Sequence, residues 1–393
     1  MPSSLAISWT ISTISGYGIY GLEILMQFLR RGGEQIILTR EPVAIMLPPA
    51  TEAQFAPFFK LGAKLDAFLR SNPNEILSFR HAVLHSCGND FAGFEGQDRV
   101  FGAPNVGCVA IEHASCSPHG LEVAKNYHLF IAISRWNEQL LKNFDVGPVY
   151  LCHQGIDTSL FYPGPKSDRW QNRFVVFSGG KFEFRKGQDI VVAAFKRFRQ
   201  KHPEALLVAC WQNQQAPDEA EFHHVGHCQG VPERADFGLQ IAPWLMQQGL
   251  PPESFFDLPL TPNMHMPAVL RECDAALFPN RCEGGTNLVA MEAMACGVPT
   301  WVADNTGQKD LIDMLGAKAL SRQRPVQFLS DGKTPRDWGE SDLDEVVAAL
   351  EYAYNHREKA RKEAFDIAEK IKAWDWGMQN EKLLKIVCDG APS

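Results

Sequence analysis

The sequence predicts an α/β protein of two domains, each built on a parallel sheet and joined by one linker. Three observations lead there. Its 393 residues exceed one ordinary domain, at a prior of about 100–200 residues each. Short apolar runs alternate with helical or turn-rich stretches, the βαβ rhythm of a parallel sheet. The rhythm halts at Tyr162-Pro163-Gly164-Pro165-Lys166-Ser167-Asp168 and then restarts, which marks an interdomain linker within 161–168. The domains are expected at 1–163 and 164–374.

The elements follow in order. Leu5–Ile11 is a short apolar strand, followed by a polar, glycine-rich stretch. Leu22–Arg31 carries Leu22, Leu25, Met26 and Leu29 at helical spacing, and Arg30-Arg31-Gly32-Gly33 is its stop signal. Glu34–Thr39 is a second strand. Phe55–Arg70 is an amphipathic helix with Lys60, Lys64 and Arg70 on its polar side, expected to cover the sheet rather than to lie on a membrane. Ala82–His85, Val106–Ile111, Leu129–Ile133 and Val149–Cys152 are further strands. Beyond the linker come the strand Phe174–Phe177, the helix Asp189–Gln200, the strand Leu206–Cys210 and a polar excursion over Gln212–Gly238. Then follow the helix Met266–Arg271, the strand Ala275–Phe278, the helix Leu288–Ala295, the strand Thr300–Val302, a long charged helical region Asp342–Ala373 and a last helix Gln379–Val387.

Apolar residues make up 45% of the chain and charged ones 21%, which excludes a mostly disordered polymer. A net charge of −8, from 46 acidic against 38 basic residues, argues against a large nucleic-acid footprint. No apolar run approaches the roughly 20 residues that span a bilayer. Met1–Thr10 lacks the basic and continuous apolar regions of a secretory signal. The ten cysteines include no CxxC pair and read as buried free thiols. A cytoplasmic location is expected, with peripheral contact at the inner membrane face left open.

Three stretches carry chemistry. Gly16-Tyr17-Gly18-Ile19-Tyr20-Gly21 is a GxGxxG string between a strand and a helix, with Glu41 twenty residues past Gly21. On paper it meets the dinucleotide fingerprint, but Ser12–Ser15 precede it where that fingerprint needs an immediate tight turn. Gly179-Gly180-Lys181-Phe182-Glu183-Phe184-Arg185-Lys186-Gly187 follows the first strand of the second half. Its lysines, five apart, can converge on one anion. Glu283-Gly284-Gly285-Thr286-Asn287-Leu288-Val289-Ala290-Met291-Glu292 joins a strand to a helix capped near Thr286 or Asn287. Backbone N–H groups at such a start bind anions, here bracketed by the two carboxylates.

Together these last two stretches resemble the C-terminal half of retaining, nucleotide-sugar-dependent glycosyltransferases of group 1, or family 4. That family typically shows GR-x4-KG and E-x7-E before AMA-x-G-x-P. Lys181 stands where arginine is usual, Lys186 matches the lysine, and Glu283 and Glu292 stand nine apart, one more than the pattern. Thinner matches are Ile131–Ser134, Gly155–Phe161 with Gln154 where asparagine is common, and Gly16–Gly21.

The resemblance implies two facing Rossmann-like domains, the GT-B architecture, with a donor cleft between them and a final helix, about 375–393, that returns to the first domain. It implies a hexosyl transfer to an acceptor hydroxyl with retention of configuration and without a metal. Lys181 and Lys186 would hold the diphosphate, with Gly18, Gly180, Gly285, Thr286, Asn287 and Leu288 near the donor. Glu292 would hold the ribose and Glu283 would orient the sugar. The nucleotide-diphosphate sugar is a co-substrate, so no separate cofactor is implied. The acceptor is a glycan, a lipid-linked sugar or a small molecule.

Val109-Ala110-Ile111-Glu112-His113 looks like the family strand that ends in an active-site histidine, which assigns His113 to the sugar. Glu112 is its rival, because neighbours on a strand point to opposite faces. Asn89 and Asp90, after the strand at Val83, are acceptor-side candidates. His223, His224, His227 and Cys228 crowd too closely for a tetrahedral zinc site and read as a surface loop. Two rivals stay open: an NAD-dependent oxidoreductase using the glycine string, and a non-catalytic nucleotide- or glycan-binding descendant of the fold.

Overall fold

The structure is a computed structural model that describes residues 4–33, 35–167, 169–213, 217, 219, 222, 226–236, 238–326 and 337–388. The chain divides into two compact units. One takes the chain up to Gly155, Pro262–Met264 and the chain from Trp374 onward. The other takes Ile156–Thr261 and His265–Ala373. The division falls ahead of the expected linker, whose described residues pack within the second unit: Lys166 pairs with Asp274 at 2.6 Å, and Arg271 Nε donates to the Tyr162 carbonyl at 3.0 Å.

The first unit is a six-stranded parallel sheet of β1 (Ser4–Ile7), β2 (Gln35–Leu38), β3 (Ala82–Cys87), β4 (Asn105–Val109), β5 (Leu129–Ala132) and β6 (Val149–Leu151), in the order β2-β1-β3-β4-β5-β6. Near-continuous burial of β1, β3 and β4 explains their unbroken apolar runs, as expected for parallel strands covered on both faces.

Helix α1 runs Gly16–Arg30, not from Leu22 as the apolar spacing suggested. Ser15 caps it by accepting from the Gly18 N–H at 3.2 Å, so the glycine string opens the helix instead of forming a loop. Its glycines serve packing: a Cβ on Gly18 would fall 2.1 Å from Ser12 Oγ, and one on Gly21 would fall 2.7 Å from Trp9 Nε1. Helix α2 (Pro49–Ser71) buries Phe55 and Leu69 and leaves Lys60, Lys64 and Arg70 exposed. Two shorter helices follow, α3 (Pro118–Ala124) and α4 (Arg135–Phe144).

The second unit repeats the plan. Its parallel strands are β7 (Phe174–Gly179), β8 (Ala205–Cys210), β9 (Phe255–Asp257), β10 (Ala275–Phe278), β11 (Thr300–Ala303) and β12 (Lys318–Leu320), ordered β9-β8-β7-β10-β11-β12. Helices α5 (Gln188–Arg199), α6 (Ile241–Gln247), α7 (Met266–Leu270) and α8 (Leu288–Ala295) connect them. The expected long helical region is two helices, α9 (Leu343–Asn355) and α10 (Arg357–Lys370). They are separated at His356, whose φ of −129° and ψ of 41° are not helical. The last helix, α11 (Trp376–Cys388), belongs to the first unit. There Trp376 stacks on Tyr20 at 5.6 Å and Glu381 pairs with Arg31 at 3.5 Å. Among the described residues, no helix is long and apolar enough to cross a membrane.

Candidate functional site

In the second unit the strand order runs outward in both directions from β7 and β10. The segments leaving these two strands therefore diverge and open a crevice at their carboxyl ends, where open α/β sheets bind ligands. Residues 180–187 and 279–287, the two motif loops, are the segments that leave there.

The loops are stitched together. The Arg185 carbonyl accepts from the N–H groups of Arg281 at 2.7 Å and Cys282 at 3.2 Å. Gly187 sits at φ +69°, and a Cβ there would lie 2.3 Å from the Pro279 carbonyl oxygen, so only glycine permits the approach. Beneath them the Arg281 guanidinium is fully buried. It meets Asp189 with two bonds of 2.8 Å, Glu340 at 3.0 Å and the Phe184 carbonyl at 2.8 Å, and lies 3.9 Å from the centre of the Phe184 ring. Burial pushes the Asp189 carboxyl up, but Arg281 outweighs it and holds the group below its ordinary range.

Above this platform lies Glu283, nearly buried. Its Oε1 accepts from Lys186 Nζ and Asn280 Nδ2, and its Oε2 lies 3.3 Å from Arg185 Nη1. Arg185 also pairs with Glu183 at 2.6 Å. Burial would raise Glu183; the charges of Arg185, Lys186 and Lys181 hold it down instead. Lys181 is exposed and Lys186 is not, so the two lysines differ in setting although the motif treats them alike. The Glu283 backbone is fixed from both sides, its N–H donating to Thr306 Oγ1 at 2.9 Å and its carbonyl accepting from the Gly307 N–H at 2.9 Å.

Asn287, at φ +71°, caps α8 by accepting from the Ala290 N–H at 3.3 Å and donates to Gln308 Oε1 at 3.1 Å. Gly285 and Thr286 are buried beside it, with Thr286 Oγ1 on Met291 Sδ at 3.1 Å, and Leu288 opens the helix half-buried. Gly180, at φ +120°, donates its N–H to the Cys210 carbonyl at 3.0 Å. Its neighbour Gly179 lies against Val289, where a Cβ would come within 2.7 Å. Glu292 is buried on α8 rather than solvated. Burial first, then the charges of Glu292 and Asp257, pushes the Cys210 thiol up to about 12. Gly180, Lys181 and Lys186 thus follow β7, and Glu283, Gly285, Thr286 and Asn287 follow β10, at the carboxyl end of the two central strands, with Leu288 and Glu292 on the helix that continues from them.

In the first unit, β4 ends at Val109, so Glu112 and His113 lie in the turn beyond it and strand alternation does not decide between them. Both are half-buried. Asn137 grips Ile111 through its N–H and carbonyl at 2.9 and 2.8 Å. Asn89 Oδ1 accepts from the N–H groups of Glu112 at 2.8 Å and His113 at 3.0 Å, and Asp90 Oδ1 accepts from the Ser117 N–H at 2.7 Å. These oxygens hold backbone, which makes Asn89 a support for Glu112 and His113 and Asp90 a support for Ser117. Gly18 is packed inside α1 as described and gives a pyrophosphate no loop to approach. This removes the structural basis of the dinucleotide reading.

Sequence reasoning missed Arg185, Asn280, Arg281 with Asp189, and Asn137. Arg281, two residues before Glu283, was the one visible signal. Of the crowded histidines, His223 and His224 lie outside the described residues. His227 bonds Glu340 at 3.1 Å, and the Cys228 thiol donates to the Asp189 carbonyl at 3.6 Å.

Residues 261–383 match the family described as "Family 4 Glycosyltransferase in conflict systems". No curated protein matches the chain. Among solved structures, the chain resembles a sucrose-phosphate synthase from Thermosynechococcus elongatus, with 16% identity over 98% of each chain and a TM-score of 0.63. It resembles Anabaena Alr3699/HepE in complex with UDP and glucose, with 16% identity over 98% of this chain and 99% of that one and a TM-score of 0.63. A UDP-forming α,α-trehalose-phosphate synthase from Burkholderia xenovorans aligns over 100% of both chains at 14% identity, with a TM-score of 0.57. At these identities the likeness establishes the fold, that of GT-B glycosyltransferases.

Proposed function

We propose that this chain is a glycosyltransferase that moves a sugar from a nucleoside-diphosphate sugar, with UDP as the carrier, to an acceptor hydroxyl. The observation that carries the reading is the convergence of the cationic loop 180–187 and the loop 279–287, which carries Glu283, at the switch point of the second sheet. Cations poised on a departing diphosphate lower the barrier by meeting the charge that develops there, and Lys186, Arg185 and Lys181 supply them. Glu283, fixed at backbone and side chain, is suited to accept from the sugar hydroxyls. Glu292, buried on α8, is suited to a ribose. The choice of UDP draws on the structural relatives, whose names record UDP or a UDP-forming reaction. Retention of configuration and independence from a metal rest on the family resemblance. His113, with Glu112 as its rival, is the candidate that contacts the transferred sugar, and Glu112 also stands as an acceptor-side candidate.

The test is a thermal-shift comparison of UDP, GDP, ADP, TDP and NAD, each with and without Mg²⁺. A ligand that binds the native state raises its stability by RT ln(1 + [L]/Kd). The expected result is a shift with UDP that disappears in Lys186→Ala. A shift with NAD alone, or with none of the five, overturns the reading.

A further inference from the structure

A crossover between parallel strands usually contains an α-helix that covers the sheet. Residues 88–104, which join β3 to β4 and are all described, contain no α-helix: they make two three-residue helical turns, Asn89–Phe91 and Gln97–Arg99, and a two-residue strand, Val100–Phe101, paired with Leu77–Ser78. A cavity of about 350 Å³ lies between this segment and the turn after α3.

Three rings face it incompletely buried: Phe94, 42% exposed, with Phe101 and Tyr127. Its buried polar floor is already satisfied. His85 meets Ser8 Oγ at 3.0 Å and Asn105 Oδ1 at 3.1 Å, and Gln97 closes on Ser86 with bonds of 2.8 to 3.2 Å. The floor therefore calls for neither a metal nor a charged ligand. At the rim stand two exposed carboxylates, Glu95 and Asp98. Behind them, a Cβ on Gly96 would lie 3.3 Å from Arg99 Nη2 and 3.2 Å from Arg40 Nη1, the latter paired with Asp66 at 2.9 Å, so guanidinium groups stand beside the rim's carboxylates.

We infer that this cavity binds a neutral hydroxylated ring, one sugar residue of a glycan acceptor. Aromatic faces take up the C–H face of a pyranose, and rim carboxylates accept strong hydrogen bonds from its hydroxyls. The volume sits at the lower end of small-molecule sites, about 300–1,000 Å³, which suits one ring rather than a chain. The cavity wall at Phe91 lies two residues from Asn89, the residue that holds Glu112 and His113. That the ring belongs to the acceptor rests on the transferase reading; that a ring binds here does not.

The probes are methyl α-D-glucopyranoside and N-acetylglucosamine, with tetramethylammonium as the cation control, each titrated into the full chain by saturation-transfer NMR. One pyranoside should bind saturably, about tenfold more weakly in Phe94→Ala, as expected for losing one ring contact. Its affinity should be unchanged in Lys186→Ala and in the presence of UDP. A second variant, Asp98→Asn, should also weaken it while keeping the wild-type Tm. The inference is overturned if neither pyranoside binds, if binding ignores both variants, or if tetramethylammonium is preferred. UDP binding is read separately, so a failure of the donor reading and a failure of this one show up in different titrations.

Discussion

The Arg281 guanidinium and the Asp189 carboxylate share two hydrogen bonds of 2.8 Å, and neither side chain reaches solvent. A buried charge that loses its partner is costly, about 3–5 kcal/mol. Arg281→Met should therefore lower unfolding free energy by about that much in urea titrations. The double variant Arg281→Met/Asp189→Leu should recover much of the loss. Equal losses in the single and double variants would show that pairing with Asp189 is not what Arg281 contributes.

Lys186→Ala removes the cation nearest Glu283. If the diphosphate rests there, its affinity for UDP by calorimetry should fall about tenfold or more, as for a lost charge-assisted bond of about 1.5–3 kcal/mol. An unchanged Kd would remove Lys186 from the donor site.

Asn89→Ala leaves the N–H groups of Glu112 and His113 without their acceptor oxygen. With both residues then free to drift, kcat should drop while donor KM holds. Asn89→Asp, which keeps an acceptor oxygen in place, should restore most of the rate. A change confined to donor KM would contradict a positioning role on the acceptor side.

His85 is buried, and desolvation lowers its pKa to about 4 despite an opposing bond to Asn105. The unfolded chain binds this proton near pH 6.5 and the native state does not. Stability should thus be flat above pH 6.5 and decline as pH falls from there to about 4, by about 3 kcal/mol from this group alone. Urea midpoints at pH 7.5, 6.0 and 5.0 would show the slope, and His85→Gln should flatten it. A wild-type protein with equal midpoints at all three values would refute the assignment.

Much of the second half was legible because its signals are local. The strand Ala275–Phe278 and the helix Leu288–Ala295 stand where composition and capping place them. The GGK and EGGTN stretches follow strands β7 and β10 as spacing requires. What escaped was set by distant partners. Arg281 and Asp189 are 92 residues apart, and no periodicity links them. Helix α1 starts earlier than its apolar spacing suggests, because Ser15 caps it and close packing at Ser12 and Trp9 keeps its glycines helical. The turn at Glu112 and His113 was read as strand because its apolar run continues past Val109, where Asn137 and Asn89 take over the backbone.

Lys186 meets an anion only by giving up Glu283, so the pair competes with whatever binds there. A carboxylate tethered within the fold acts on its cation at a fixed effective concentration, whatever the surrounding solution holds. Dissolved phosphate or sulfate must displace it with one contact, whereas a nucleoside diphosphate arrives with ribose and base anchored as well. If the diphosphate rests there as proposed, the pocket should discriminate against the anions of ordinary buffers and yield to a ligand that grips at several points, with that selectivity coming from a residue that touches none of the small anions.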